Sequence, residues 1–209
     1  MMFPRETHRD LFRELPEIIA WLIGIFMLIN VLGGVYFIKT DFLRGLALVI
    51  AVLLGFVLHE LGHRGVSKRL GCYARFSVDA FSVLLTSFIA VIQNISLILT
   101  SNGLPFIIAL PGFVLSYCYT YERNYEGLIS LAGPSVNILI SIISLIISEL
   151  IPQTKYFLHV VAYVNSVLAL FNLLPIPPLD GYKVIRWNIF VWIISIIITL
   201  IVMILISSS

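Results

Sequence analysis

The chain has 209 residues, of which 60% are hydrophobic and 11% charged, with a formal net charge of +2. A soluble domain carries about 45–50% apolar and about 25% charged residues, so the composition excludes a water-soluble fold, a disordered chain and a nucleic-acid binder. The charge is too small to point to an acidic partner, and two cysteines, Cys72 and Cys118, offer no disulfide framework and no cysteine-based metal site.

The elements read in chain order as those of a polytopic membrane protein. Residues 1–15 form a cytoplasmic or interfacial N-terminal segment. Arg5–Glu17 mixes both charge signs with Leu11, Phe12 and Leu15, which suits an interfacial helix or a short solvated tail. Ile18–Ile38 is long enough to span. It is not expected to be a cleaved signal, because its apolar core is too long and no small-residue cleavage site follows. Gly45–Leu58 is a second apolar run that meets the polar cluster His59–His63 directly. Ala80–Tyr121 is long enough to cross out and back. Its first half, Phe81–Leu99, reads as a helix. Its second half, Leu104–Cys118, holds Pro105 and Pro111 and reads as an extended hairpin turning at Pro111-Gly112, or else as a short proline-kinked helix. Extended backbone cannot face lipid, so a hairpin here must line a cavity or be covered by protein. Gly127–Ser148, Tyr156–Leu179 and Trp187–Ser209 complete the set, with residues 187–206 as a C-terminal transmembrane helix. The expected fold is an all-α polytopic membrane protein of about six transmembrane helices with a short membrane-associated β-hairpin near the active site. It is one domain, 1–209, with its core at 45–183.

Basic residues orient it. With the N-terminus in the cytoplasm, that side receives Arg5, Arg9, Arg13, Arg64, Lys68, Arg69, Arg75, Arg123, Lys183 and Arg186. The far side receives Lys39, Arg44 and Lys155. The expected location is the cell membrane, multi-pass, with the C-terminus outside.

The strongest chemical signal is His59-Glu60-Leu61-Gly62-His63. Positions i and i+4 share a helical face, so both imidazoles can reach one metal ion, with Glu60 beside it as a general base for water. Three ionisable groups in one turn beside hydrocarbon are costly unless they are paired or functional. A catalytic zinc usually takes a third protein ligand. Asp180, in Asn172-Leu-Leu-Pro-Ile-Pro-Pro-Leu-Asp180-Gly181, ends on the same side as His63, and Pro175, Pro177 and Pro178 unwind the helix before it. Spacing alone leaves it either a ligand or the cap of the next helix. Asp79 is a weaker rival. His159 reads as interfacial on the far side, His8 lies in the tail, and Glu17 and Glu149 sit at span ends where snorkelling suffices. Ala132-Gly-Pro-Ser-Val-Asn137 opens a further span with small residues that permit close helix approach. Asn137 could bond between helices, or bind a substrate backbone or a developing oxyanion.

Together these three motifs resemble the site-2 protease family of intramembrane zinc metalloproteases, over about Gly45–Lys183 and closest to short archaeal-type members. The resemblance implies one zinc held by His59, His63 and Asp180, with Glu60 as general base and acid and Asn137 as a catalytic helper at the oxyanion or substrate. It also implies a membrane-associated β-segment that pairs with unwound substrate. Leu110, Pro111, Gly112, Phe113 and Val114 stand in that place. Phe81–Leu99 is longer than the family pattern leads one to expect, and no PDZ-like or CBS-like domain is expected in a chain of this length. The implied partner is a membrane-protein substrate, a single-pass helix, met in the lipid bilayer. Two rivals stand beside this reading. One is a metalloprotease whose third ligand is Glu122, Glu126 or Glu149. The other is a non-proteolytic membrane metal-binding or transport protein, although no inverted repeat is visible.

Overall fold

The structure is a computed structural model that describes residues 15–103, 109–110, 112–119 and 123–208. The first apolar run is bent. Helices α1 (Glu17–Val31) and α2 (Gly34–Thr40) meet at 57°. Gly33 joins them at φ +75°, and a Cβ there would fall 2.5 Å from Leu97, so glycine serves both the left-handed turn and the close approach. Next, α3 (Phe42–Val52), a π-helical turn (Leu53–Val57) and α4 (Leu58–Arg69) run on as one span.

Strand β1 (Tyr73–Ser77) follows, then α5 (Ala80–Thr100) and β2 (Phe113–Tyr117). Asp79 caps α5 by accepting from the Ser82 amide at 3.0 Å. The strands pair antiparallel, from Tyr73 opposite Tyr117 to Ser77 opposite Phe113. The short sheet is therefore present, but it is not the local hairpin expected within Leu104–Cys118: β2 pairs with β1, which precedes α5. Leu104–Ile108 and Pro111 lie outside the described residues. β2 follows α5 in the chain yet pairs with the strand before that helix, so both strands meet near the start of α5. Leu110 is held on the way, its amide donating to Thr86 Oγ1 at 3.0 Å.

The cysteine expectation is corrected. Cys72 and Cys118 form a disulfide, with Cα atoms 4.4 Å apart and a sequence separation of 46. Each lies one residue outside the Tyr73–Tyr117 pair. Strand pairing brings them together, and spacing along the chain could not reveal it.

Helices α6 (Arg123–Leu150), α7 (Lys155–Asn172), α8 (Asp180–Trp187) and α9 (Ile189–Ser208) complete the chain. The apolar run Tyr156–Leu179 is not helical throughout: α7 stops at Asn172, ahead of prolines that lack an amide hydrogen. Five helices among the described residues are long and apolar enough to cross a membrane, or six if the bent pair α1–α2 counts as one span. The chain is a membrane protein.

Ion pairs and hydrogen bonds define two ends. At one end Glu17 accepts from Arg64 at 2.8 Å and from the Phe76 amide at 3.1 Å, tying α1 to α4 and β1. At the other, Tyr156 donates to Asp41 at 3.0 Å and Lys155 pairs with Glu149 at 3.2 Å. Between them a core forms around Leu28, Val52, Phe56 and Phe76, where Trp21 stacks on Phe76 at 4.4 Å. The sheet is thereby packed onto α1 and the π turn.

Candidate metal centre

His59 and His63 lie on one face of α4, both buried, with ring centroids 4.6 Å apart. His59 Nδ1 is 2.5 Å from Asn137 Oδ1, and His63 Nδ1 is 2.6 Å from the Ile129 carbonyl. Both partners are acceptors, so each Nδ1 carries the proton and each Nε2 presents a lone pair. The two Nε2 atoms converge to 3.0 Å. Asp180 Oδ2 lies 3.5 Å from His59 Nε2 and 3.1 Å from His63 Nε2.

Two lone pairs and a carboxylate oxygen facing one another repel unless a cation lies among them. Ligand atoms of His59, His63 and Asp180 all lie within 4.8 Å of one another. Two imidazoles and one carboxylate, leaving a fourth position open, suit zinc. Room for the site comes from α6: a Cβ at Gly133 would fall 2.3 Å from His63 Nε2 and 2.5 Å from His59 Nε2. Asp180 is brought there by close seating of α8 on the end of α7, where a Cβ at Gly181 would lie 2.0 Å from the Leu173 carbonyl oxygen. Trp192 Nε1 donates to that same oxygen at 2.7 Å, and Trp187 Nε1 donates to Asn124 at 3.1 Å. These two indoles fix the broken segment before and after Asp180.

Glu60 is buried beside the histidines, and its Oε2 has no hydrogen-bond partner. A buried polar atom left unpaired is costly and asks for a role. Asn137 is fully committed. Its Oδ1 holds His59, while its Nδ2 donates to Gly55 O and to Asn165 Oδ1, each at 3.0 Å. In this arrangement Asn137 has no N–H left to offer an oxyanion. Asn165, wholly buried, donates in turn to the Val161 carbonyl at 2.9 Å. Sequence reasoning passed over Asn165, although an amide in mid-membrane is itself a signal. It also missed the Ile129 carbonyl, which no side chain could announce.

A cavity of about 1210 Å³ joins the centre to the sheet; His59, Glu60, His63, Asp180 and Asn172 line it together with β2. Of the positions read as substrate-binding, Leu110, Gly112, Phe113 and Val114 line this cavity, and Pro111 lies outside the described residues. The remaining candidates lie elsewhere or serve otherwise. Asp79 lines the cavity as the cap of α5, and Glu126 lines it as well. His159 sits with Glu149, 3.8 Å away, at the opposite end. Glu122 and His8 are outside the described residues.

Fold and site define a class: a membrane-embedded protein built around a two-histidine, one-aspartate metal centre. Comparison with known proteins agrees. The chain is 35% identical over 147 residues to "Putative zinc metalloprotease MJ0611" of Methanocaldococcus jannaschii, covering 69% of this chain and 71% of that one. It is 27% identical over 151 residues to "Putative zinc metalloprotease YwhC" of Bacillus subtilis, covering 66% and 67%. It is 30% identical over 142 residues to "Zinc metalloprotease MJ0392" of M. jannaschii, covering 66% of this chain and 33% of that one. No family model and no solved structure matches. The chain belongs to this family of zinc metalloproteases, of the site-2 protease type.

Proposed function

We propose that the chain is an intramembrane zinc metalloendopeptidase of the HExxH type, cutting a peptide bond within or near the transmembrane segment of a membrane-protein substrate. The observation that carries this reading is the unpartnered Glu60 carboxylate beside three converging metal-ligand atoms, in a cavity that reaches a strand edge. His59, His63 and Asp180 hold the zinc. Bound there, zinc supplies Lewis acidity toward a peptide carbonyl and lowers the pKa of water. Glu60 takes the proton of the attacking water at Oε2 and returns it to the leaving amine. Asn137 orients His59 and sets its tautomer, the usual task of an outer partner. Asn172 lines the cavity with one N–H given to the Leu168 carbonyl at 3.0 Å; its other N–H is available to a substrate carbonyl.

A helical substrate hides its carbonyls in i→i−4 bonds and must unwind before hydrolysis. Among the described residues β2 is paired on one side only, so its other edge can accept an unwound segment by strand addition. Leu110, Gly112, Phe113 and Val114 form the near part of that surface. The excess of basic residues at the end that carries Arg64, Arg75 and Arg186 supports a cytoplasmic active site and N-terminus, with the C-terminus outside.

The test is a comparison of membrane peptides in cells carrying the wild type or Glu60→Gln. The expected result is a set of transmembrane fragments present only with the wild type. Identical fragment sets in both would contradict the reading.

A further inference from the structure

The disulfide lies where it controls the strand that would receive substrate, and this inference rests on the proposed role of β2. Cys72 immediately precedes β1 and Cys118 immediately follows β2, so the bond closes one end of the ladder. A two-stranded ribbon of five residues a side is marginal by itself. Besides the bond and the pairing with β1, β2 is held by the Ser67–Ser116 hydroxyl contact at 2.7 Å, by Val114 against the core, and by the Leu110 amide on Thr86 just ahead of the strand. Cutting the bond opens a loop that spans all of α5, and β2 then keeps one fewer tie to the start of β1. The two residues also differ in exposure. Cys72 is 5% exposed, whereas Cys118 is half-buried on the wall of the cavity. The basic residues assign this end to the cytoplasm, where disulfides are transient and serve catalysis or redox sensing.

We propose that Cys72–Cys118 is a reversible thiol–disulfide site that locks the β2 edge for substrate when oxidised and releases it when a dithiol reductant arrives through the cavity. A thiolate of the dithiol attacks Cys118 Sγ. The Cys72–Cys118 bond breaks, and Cys72 leaves as a thiolate that takes up a proton. The second thiol of the dithiol then attacks the mixed disulfide. Cys118 is released as a thiol, and the dithiol departs as its own disulfide, having supplied two electrons. The metal ligands take no part.

The experiment uses the full chain in bilayer nanodiscs, oxidised or treated with dithiothreitol, alongside Cys72→Ser/Cys118→Ser. Three quantities are read: cleavage of a transmembrane peptide, amide hydrogen exchange at 113–117, and zinc per chain on the same samples, because dithiols also bind zinc. Reduction is expected to speed exchange at 113–117 and to lower cleavage about tenfold with zinc unchanged. The double variant should match the reduced protein and ignore the reductant. Equal exchange and equal cleavage in both redox states, or thiols that stay free by alkylation after the isolated protein is treated with an oxidant, would overturn the proposal. If no form of the protein cleaves any peptide, the peptidase reading fails, while the exchange measurement still decides whether the bond locks β2.

Discussion

At the residue scale the centre works because each imidazole has its proton pinned on the side away from the metal. Asn137 and the Ile129 carbonyl do this, and Asn165 holds Asn137. Removing such an outer partner typically costs about 10–100-fold in metal affinity. Asn137→Ala is therefore expected to weaken zinc binding by that order, measured by competition with a chromogenic chelator, and Asn165→Ala by less because it acts one bond further out. Unchanged affinity in Asn137→Ala would show that His59 needs no such support. Gly133→Ala is a steric test of the same centre, since the added Cβ would overlap both Nε2 atoms. It is expected to lower zinc content while the helical circular dichroism stays native. Full zinc in that variant would mean that α6 can withdraw without loss. The two histidines were legible in the sequence because metal chemistry places them at helical spacing, whereas Asp180 was left open by spacing and entered as a ligand through the family resemblance. Of the supports only Asn137 was singled out: a backbone carbonyl leaves no trace in the sequence, and Asn165 was passed over because its partner appears only when α7 lies against α6.

At the element scale, the β1–β2 pairing was the least legible part of the fold. Tyr73–Ser77 carries Arg75 and sits between charged stretches, so it reads as a loop, and its partner is far along the chain. Short strands give little periodicity by which to recognise them. The prolines before β2 did signal extended chain, but a local pattern could not say with what it pairs. Prolines again stop α7 at Asn172 and let Asp180 start α8 against it. Successive amides of an antiparallel strand point to opposite sides. Of Phe113 and Val114, one therefore donates toward β1 and the other toward the open edge. Phe113→Pro and Val114→Pro, tested separately, should both keep zinc. The variant at the open edge should lose cleavage with the Cys72–Cys118 bond intact, because proline removes a donor that strand addition needs. Alanine at the same positions should do less. Cleavage at wild-type rate in both proline variants would exclude β2 as the substrate strand.

At the scale of the whole molecule, the apolar runs and the distribution of basic residues anticipated the helices and the grouping of their ends. Glu17 with Arg64, and Asp41 with Tyr156, are contacts between elements that the sequence assigned to common sides. The bend at Gly33 was not anticipated, since a continuous apolar run carries no mark of the Leu97 side chain that presses on it. Orientation is tested by single cysteines at exposed sites on opposite ends, Lys68→Cys and Ser208→Cys, with the native pair left in its disulfide. An impermeant maleimide is expected to label Ser208→Cys in intact cells and Lys68→Cys only after permeabilisation. The reverse pattern would turn the molecule over and put the site outside.

The central claim is that His59, His63 and Asp180 hold the metal and that Glu60 moves the proton. It is tested most directly with purified protein in bilayers, by assaying a transmembrane peptide for hydrolysis and the same samples for zinc. The wild type should carry one zinc and cut the peptide at a defined bond. Glu60→Gln should carry the same zinc and leave the peptide whole, and Asp180→Ala should lose both. Cleavage by Glu60→Gln at the wild-type rate, or full zinc in Asp180→Ala, would contradict the account.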